Sequence, residues 1–210
     1  MLLMPFFISA CGSSPRGLII LCAGDSLTSK AYPHDLQKIF NKEGIKAKVL
    51  NYGRAGNTSR EYLNFLERNK ERLKKEEPDF ILLQLGTNDV RTDSDQTPTA
   101  VFKDNMKKIV GIFRASRSRA GLVPKILLAL IPPVPKATPF PFTPDSARRV
   151  AEEINPAIQD ICEQENIALV DNYAIFLKEP SLLPGVHPTR EGFKLLARNW
   201  YQALKPYLNR

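Results

Sequence analysis

The sequence predicts a three-layer α/β/α sandwich in which helices cover both faces of a five-stranded parallel sheet. Short apolar runs typical of buried strands alternate along the chain with longer segments of helical periodicity. No segment repeats and no linker interrupts the alternation, and 210 residues suffice for one well-packed domain, which we place over 17–210. Right-handed crossovers between successive parallel strands put the connecting helices on both faces of the sheet.

Five short apolar runs are predicted as the strands. The first starts at Leu18, is rich in isoleucine and leucine, and stops at the turn Gly24-Asp25-Ser26. The other four follow in chain order at 45–50, 80–85, 126–131 and 167–170.

The segments between these runs are predicted as helices because apolar residues recur on one side of each. Pro33 suits the first turn of the first helix, and Gly44 ends it. Thr58 and Glu61 form a capping box for the second helix, which is expected to continue to Pro78. The later helices are predicted to begin near Pro98, to span 145–164 and to start at Thr189.

Charge and cysteine spacing narrow the possible function classes. The formal charge is +8, but acidic residues are interleaved with the basic ones, and no long basic block with aromatic residues is present. This pattern disfavours a nucleic-acid partner. Cys22 and Cys162 lie on apolar faces and are predicted to be core residues, and the cysteine spacing matches neither a zinc site nor a disulfide framework.

Residues 1–16 form a separate segment with its own prediction. Residues 1–10 are uncharged and mostly apolar, and 8–12 read Ile-Ser-Ala-Cys-Gly. This ending resembles the lipobox of bacterial lipoproteins, so it predicts a signal that is cleaved before Cys11, a lipid anchor on that cysteine and a short tether after it. Such a protein belongs to the cell envelope. The alternative is a frayed apolar N-terminus on a cytoplasmic protein.

Polar turns follow each of the first three predicted strands. They are Gly24-Asp25-Ser26, Gly56-Asn57 and Gly86-Thr87-Asn88-Asp89. Ligands bind at the carboxyl ends of the strands in open α/β sheets, and there these three turns lie beside one another. His187, one of only two histidines, precedes the last helix and is expected to arrive from the same side.

These blocks resemble those of the SGNH, or GDSL-type, hydrolase superfamily. They are Gly24-Asp25-Ser26-Leu27, the glycine block around Gly56, Gly86-Thr87-Asn88-Asp89, and Gly185-Val186-His187-Pro188. The resemblance runs from Gly17 to Tyr207 and implies a flavodoxin-like strand order.

The resemblance also implies a role for each matching residue. Ser26 is the implied nucleophile and His187 the general acid and base. The implied oxyanion hole consists of the N–H groups of Ser26 and Gly56 and the side-chain amide of Asn88. Neither a metal nor a cofactor is implied.

Two aspartates are predicted to support these groups. Asp25 is expected to fix the turn that carries Ser26. Asp89 is expected to accept hydrogen bonds from backbone N–H groups of the segment after Asn88.

The chain departs from the superfamily at one position. An aspartate usually stands three residues before the histidine and orients it, and here that position is Pro184. Three explanations stay open: a Ser26–His187 dyad oriented by a backbone carbonyl such as that of Pro184, a carboxylate supplied by Glu179 or Asp171, or loss of hydrolysis. In a serine protease triad, replacing the aspartate lowers turnover by about 10⁴.

The resemblance implies a serine ester hydrolase acting on a small ester substrate. The expected reaction removes acyl groups such as acetyl from a carbohydrate, or hydrolyses a lipid or thioester, as a lysophospholipase or thioesterase does. The rival hypothesis is a weak or inactive binding protein on the same scaffold, which Pro184 favours.

Other residues near the predicted site carry open alternatives. Arg54 and Arg60 suit either an anionic substrate or a solvated surface, and His34 is predicted to lie on the surface at a helix start. Phe140 and Phe142 lie in the proline-rich stretch 132–142, which can continue neither a sheet nor a helix. They are predicted to form either an apolar lid over an acyl group or a packed loop.

Overall fold

The computed structural model of the protein describes residues 17–208. All strand pairs in its sheet are parallel, and the order is β2-β1-β3-β4-β5. The strands are Leu18–Gly24 (β1), Ala47–Gly53 (β2), Phe80–Gln84 (β3), Lys125–Ala129 (β4) and Ala168–Val170 (β5). The predicted α/β fold and the flavodoxin-like order are therefore confirmed.

Helices lie on both faces of this sheet. They are Ser26–Ser29 (α1), Tyr32–Lys42 (α2), Ser59–Arg68 (α3), Lys70–Glu76 (α4), Thr99–Arg114 (α5), Pro144–Arg149 (α6), Asn155–Gln164 (α7), Asn172–Lys178 (α8) and Arg190–Leu208 (α9). Three-residue 3₁₀ turns occur at Asn88–Val90 and Pro180–Leu182, and a π-helical turn spans Val150–Ile154.

Two apolar cores separate the sheet from its helical layers. Because side chains alternate along a strand, β1 contributes to both cores: Ile20 and Cys22 face one, and Leu21 and Ala23 face the other. The first core contains buried residues of α2, α8 and α9, and the second contains those of α3, α5 and α7. Burial on both faces explains why the central strands are continuous apolar runs in the sequence.

The prediction of one continuous helix from Thr58 to Pro78 is wrong. The Thr58–Glu61 capping box is present, but the helix ends at Arg68 and a second helix starts at Lys70. The side-chain amide of Asn69 donates to the carbonyl oxygen of Phe65 at 2.7 Å. An asparagine side chain that bonds its own backbone competes with the helical hydrogen bonds, and this accounts for the break.

The helix predicted over 145–164 is present as α6, the π-helical turn and α7. Pro156 has no N–H to donate to the carbonyl four residues earlier. The N–H of Asn155 reaches the carbonyl of Val150, five residues back. The Asn155 side chain also bonds both the N–H and the carbonyl of Ile131, at 2.9 and 3.1 Å, which ties the irregular turn to the segment just after β4.

Two helices are missing from the sequence-based prediction, the four-residue α1 and the longer α8. The segment after β5 contains α8, and the Asp171 side chain accepts from the N–H groups of Tyr173 and Ala174 at its start. Aspartate at an N-cap was the signal available in the sequence.

The predicted lipid attachment at Cys11 lies outside the described residues. Within the described part of the chain, no helix is both long enough and apolar enough to cross a membrane.

Candidate active site

The turn after β1 presents Ser26 at the carboxyl edge of the sheet. Gly24 has φ +148°, and a Cβ there would lie 1.9 Å from the backbone oxygen of Gln84 on β3, so only glycine fits. Asp25 accepts from the N–H of Leu27 at 2.9 Å and caps α1, whose first residue is Ser26. Asp25 thus fixes the turn that leads into α1.

His187 meets Ser26 across 161 positions of sequence. Its Nε2 atom lies 2.9 Å from the Ser26 hydroxyl oxygen. A hydrogen bond joins the two ends of the loop that carries His187. The N–H of Thr189, just before α9, donates to the carbonyl of Leu182 at 2.9 Å. A serine hydroxyl in hydrogen-bond contact with an imidazole is the arrangement that activates a serine nucleophile.

Asn88 lies in the 3₁₀ turn after β3, beside the loop that follows β2. Its side-chain amide donates one hydrogen bond to the carbonyl oxygen of Asn57 at 2.9 Å, which leaves its second N–H available. Gly56 has φ +80°, a left-handed conformation that favours glycine. The N–H groups of Ser26 and Gly56 donate to no acceptor within residues 17–208.

The loop that contains Gly56 is joined to both neighbouring strands. The N–H of Arg54 donates to the carbonyl of Gly24 at 2.8 Å, which connects the loop to the end of β1. The bond from Asn88 to Asn57 connects it to the turn after β3. The structure therefore brings the Ser26, Gly56 and Asn88 turns to one edge of the sheet.

The prediction for Asp89 is wrong in its partner. Its carboxylate accepts from the N–H of Ser59 at 2.9 Å and from the Ser59 hydroxyl at 2.6 Å, so it binds the start of α3 rather than its own segment. A carboxylate is favoured at a helix N-terminus, where the first N–H groups lack partners. Asp89 thereby fixes the turn that carries Asn88 against the helix that follows Gly56.

Arg149 is a supporting residue that sequence reasoning missed. Its side chain is only 5% exposed, and it donates to the carbonyl oxygens of Asp89 at 2.8 Å and Thr97 at 2.6 Å. It also pairs with Glu153 at 3.2 Å. The arginine thus joins the end of α6 to the backbone beside Asn88. An arginine in a charged helix looks solvated in the sequence, and no local signal marks it as buried.

Comparison with known proteins decides the family. Residues 22–195 match the GDSL-like lipase/acylhydrolase family, and this range includes Ser26, Gly56, Asn88 and His187. The chain belongs to this family.

Several proteins similar to this GDSL-family chain are named as esterases of acetylated carbohydrates. An acetylxylan esterase from Xylanibacter ruminicola is 26% identical over 89% of the chain, which spans only 43% of that relative's length. Two solved structures have a TM-score of 0.72 and 20% identity. The match with a carbohydrate acetylesterase family member from Sinorhizobium meliloti covers 92% of this chain and 100% of the Sinorhizobium chain. The match with an acetylxylan esterase from Geobacillus stearothermophilus covers 90% of this chain and 94% of the Geobacillus chain. These structures share the fold.

The environment of His187 differs from a complete triad. Within residues 17–208, no carboxylate oxygen lies within 4.0 Å of its ring nitrogens, and its Nδ1 atom has no hydrogen-bond acceptor. Asp171 caps α8, and Glu179 is exposed at the end of that helix. Neither carboxylate reaches the imidazole, and the Pro184 carbonyl does not accept from it. The Ser26 contact and its part-buried surroundings are what hold the ring.

Burial and charge shift the pKa values of three groups in the site. Burial lowers the pKa of His187 below its usual range, and the positive charge of Lys30 lowers it further. Burial raises the pKa of Asp25 to about 6, partly offset by the Leu27 N–H. Burial also raises the pKa of Asp89, although the Ser59 hydroxyl opposes this. A lowered pKa favours the neutral form of His187, which is the form that can accept a proton.

We expect the acid limb of the pH profile of kcat/KM for ester hydrolysis to lie below pH 6.5, the ordinary pKa of histidine. A lowered pKa keeps the basic form of His187 populated as the pH falls, so hydrolysis persists into mildly acidic solution. Lys30→Gln removes one of the two causes and should move the limb upward. Pro184→Asp, which adds a carboxylate at the superfamily position, should move it further. A wild-type limb above pH 7 would contradict this prediction.

The remaining residues singled out from the sequence lie around the site's periphery. His34 is exposed on α2, as expected, and Arg60 is exposed on α3. The Arg54 guanidinium lies 4.1 Å from the centre of the Phe65 ring. This stacking gives Arg54 a structural partner and leaves its predicted contact with an anionic substrate untested. Within the described residues, no group of three or more His, Cys, Asp or Glu side chains is arranged to hold a metal ion.

Proposed function

We propose that this chain is a carboxylic ester hydrolase in which Ser26 and His187 act as a catalytic dyad. The observation that carries the proposal is the 2.9 Å contact between the Ser26 hydroxyl and His187 Nε2. The contact lies at the sheet edge where open α/β folds bind ligands, and the chain belongs to the GDSL-like lipase/acylhydrolase family.

The reaction starts with neutral His187. Nε2 takes the proton of the Ser26 hydroxyl as its oxygen attacks the ester carbonyl carbon. The carbonyl oxygen then carries the negative charge and accepts hydrogen bonds from the N–H groups of Ser26 and Gly56 and the amide of Asn88. His187 passes its proton to the departing alcohol, which leaves an acyl group on Ser26. Water, activated by the same imidazole, releases the acid.

Acetylated carbohydrate is the substrate class that the relatives favour. The names of the Xylanibacter and Geobacillus proteins specify acetylxylan, and that of the Sinorhizobium protein specifies carbohydrate acetyl esters. The chain spans less than half of the Xylanibacter protein's length, and likeness to these proteins supports the substrate class. Pro184 and the unpartnered Nδ1 of His187 support the second candidate, a binding protein with weak or no hydrolysis.

Covalent labelling separates these two candidates. We expect the protein to hydrolyse p-nitrophenyl acetate, and an organophosphate ester to stop this hydrolysis by phosphorylating one residue. Mass spectrometry of the digested protein should locate that phosphoryl group on Ser26. Hydrolysis that survives complete labelling of Ser26, or a label on another residue, would remove the enzyme assignment. A protein with neither activity nor label is the binding protein.

We also propose that the protein is located in the cell envelope. It rests on the apolar residues 1–10 and on the small residues that precede Cys11. An envelope location suits an enzyme that meets polymeric glycan outside the cytoplasm. Lysophospholipid and thioester substrates are the alternatives within the same reaction class.

A further inference from the structure

A pocket of about 440 Å³ lies directly beside His187. One wall is Pro184–His187, and the other is the proline-rich segment Thr138–Phe142. Its volume is within the ~300–1,000 Å³ range of ligand sites, and its lining is largely apolar and aromatic, as in such sites. The lining residues include none of the three oxyanion-hole positions, Ser26, Gly56 and Asn88.

Phe140 is the unusual feature of this pocket. Its side chain is 74% exposed, although it is large and apolar and stands between two prolines. A single exposed phenylalanine is common on protein surfaces and does not by itself indicate a binding site. A phenylalanine that lines a pocket next to the proposed catalytic imidazole offers a flat apolar face to a ligand.

The segment that presents Phe140 is fixed by hydrogen bonds. The N–H and the hydroxyl of Thr92 both donate to the carbonyl oxygen of Pro141, at 2.9 and 3.0 Å. The N–H of Phe142 donates to the carbonyl of Pro139 at 3.2 Å, and the N–H of Thr138 donates to that of Pro135 at 3.0 Å. A surface that is already ordered loses little conformational entropy when a ligand binds.

The geometry of acyl transfer says which part of the ester enters this pocket. The tetrahedral carbon on Ser26 carries an oxyanion, the acyl substituent and the leaving oxygen. Because His187 Nε2 must hand its proton to the leaving oxygen, that oxygen lies within hydrogen-bond distance of the imidazole. The alcohol attached to it therefore extends along the segment that carries His187, and the acyl group points elsewhere.

We propose that the pocket between Thr138–Phe142 and Pro184–His187 is the leaving-group subsite, and that it binds the sugar ring of an acetylated carbohydrate with Phe140 as its stacking face. This assignment rests on the proposed function and specifies its alcohol half. The carbon–hydrogen face of a sugar ring packs on an aromatic ring, and the open side of Phe140 leaves room for the rest of a chain. The predicted acyl lid formed by Phe140 and Phe142 is the competing assignment.

The test compares Phe140→Ala with wild type on three esters. In acetylated methyl xyloside the alcohol half of the ester is a sugar and the acyl group is short. Ethyl acetate has neither a sugar nor a long acyl chain. Ethyl hexanoate has a long acyl chain but no sugar. We expect kcat/KM for the sugar ester to fall about fivefold to tenfold and the other two to stay unchanged. Leu122→Ala is the matched control, since Leu122 is 67% exposed and precedes β4 at the opposite edge of the sheet.

Two kinetic outcomes overturn the assignment. A selective loss on ethyl hexanoate would show that the pocket holds the acyl chain, and unchanged kinetics on all three esters would show that Phe140 touches neither part. If the wild type hydrolyses no ester, saturation-transfer NMR with non-acetylated methyl xyloside tests the subsite by itself. Binding that Phe140→Ala abolishes and Leu122→Ala retains supports the sugar site even though the proposed function has failed, and absence of binding overturns it.

Discussion

Ser26→Ala and His187→Ala should each lower kcat for ester hydrolysis by about 10²-fold or more, and the double variant should lose no more than either single one. The two side chains act as one unit, because an unassisted hydroxyl is a weak nucleophile and an imidazole without a hydroxyl has no proton to take. Their 2.9 Å contact is the only hydrogen bond of the His187 side chain within residues 17–208. Single-turnover and steady-state rates with an activated acetyl ester measure the losses.

The other histidine provides the matched control. His34 is exposed on α2 and makes no hydrogen bond to Ser26, so His34→Ala should keep the wild-type kcat. Circular dichroism of each variant checks that the fold survives, since Ser26 begins α1 and His187 lies in the loop before α9. A His187→Ala protein that keeps a tenth of the wild-type rate, or losses that multiply in the double variant, would contradict a dyad.

The fold was accessible from the sequence because its signals are local. β1 and β3 are buried along nearly their whole length, so they appear as unbroken apolar runs, and the polar turns follow them directly. The strand order came from the resemblance of four short blocks rather than from the strands themselves. Once the order is known, the turns after β1, β2 and β3 have to be neighbours.

The errors arise where a distant contact overrides the local pattern. Arg149 reaches the carbonyl of Asp89, 60 positions away, and Asp89 reaches Ser59, 30 positions away, so neither partner is visible in a sequence window. The helix breaks at Asn69 and before Asn155 depend on side-chain amides that bond particular backbone carbonyls, that of Phe65 in the first case and that of Ile131, just after β4, in the second. The sequence shows that Pro184 replaces the usual aspartate. Whether another carboxylate reaches His187 depends on distant parts of the chain and is visible only in the structure.

Asn88→Ala should lower kcat by about 10² to 10³ and leave KM nearly unchanged. One N–H of the Asn88 amide donates to the carbonyl of Asn57. This bond holds the second N–H in place before the substrate binds. A donor fixed in this way interacts most strongly with the oxyanion, whose charge develops only in the transition state. Steady-state kinetics with one acetyl ester separate the two parameters.

Asn88→Asp tests whether the effect comes from the N–H rather than from the volume of the side chain. The carboxylate has nearly the same size but accepts hydrogen bonds instead of donating them, so it should face the Asn57 carbonyl and the oxyanion unfavourably and lower kcat at least as much as alanine. Loss of the Asn57 bond also costs about 1 kcal/mol of stability, which urea unfolding measures and which falls far short of unfolding the domain. If the alanine variant loses affinity and keeps its kcat, Asn88 binds the substrate in its ground state, and the oxyanion must be stabilised by the backbone N–H groups of Ser26 and Gly56 alone.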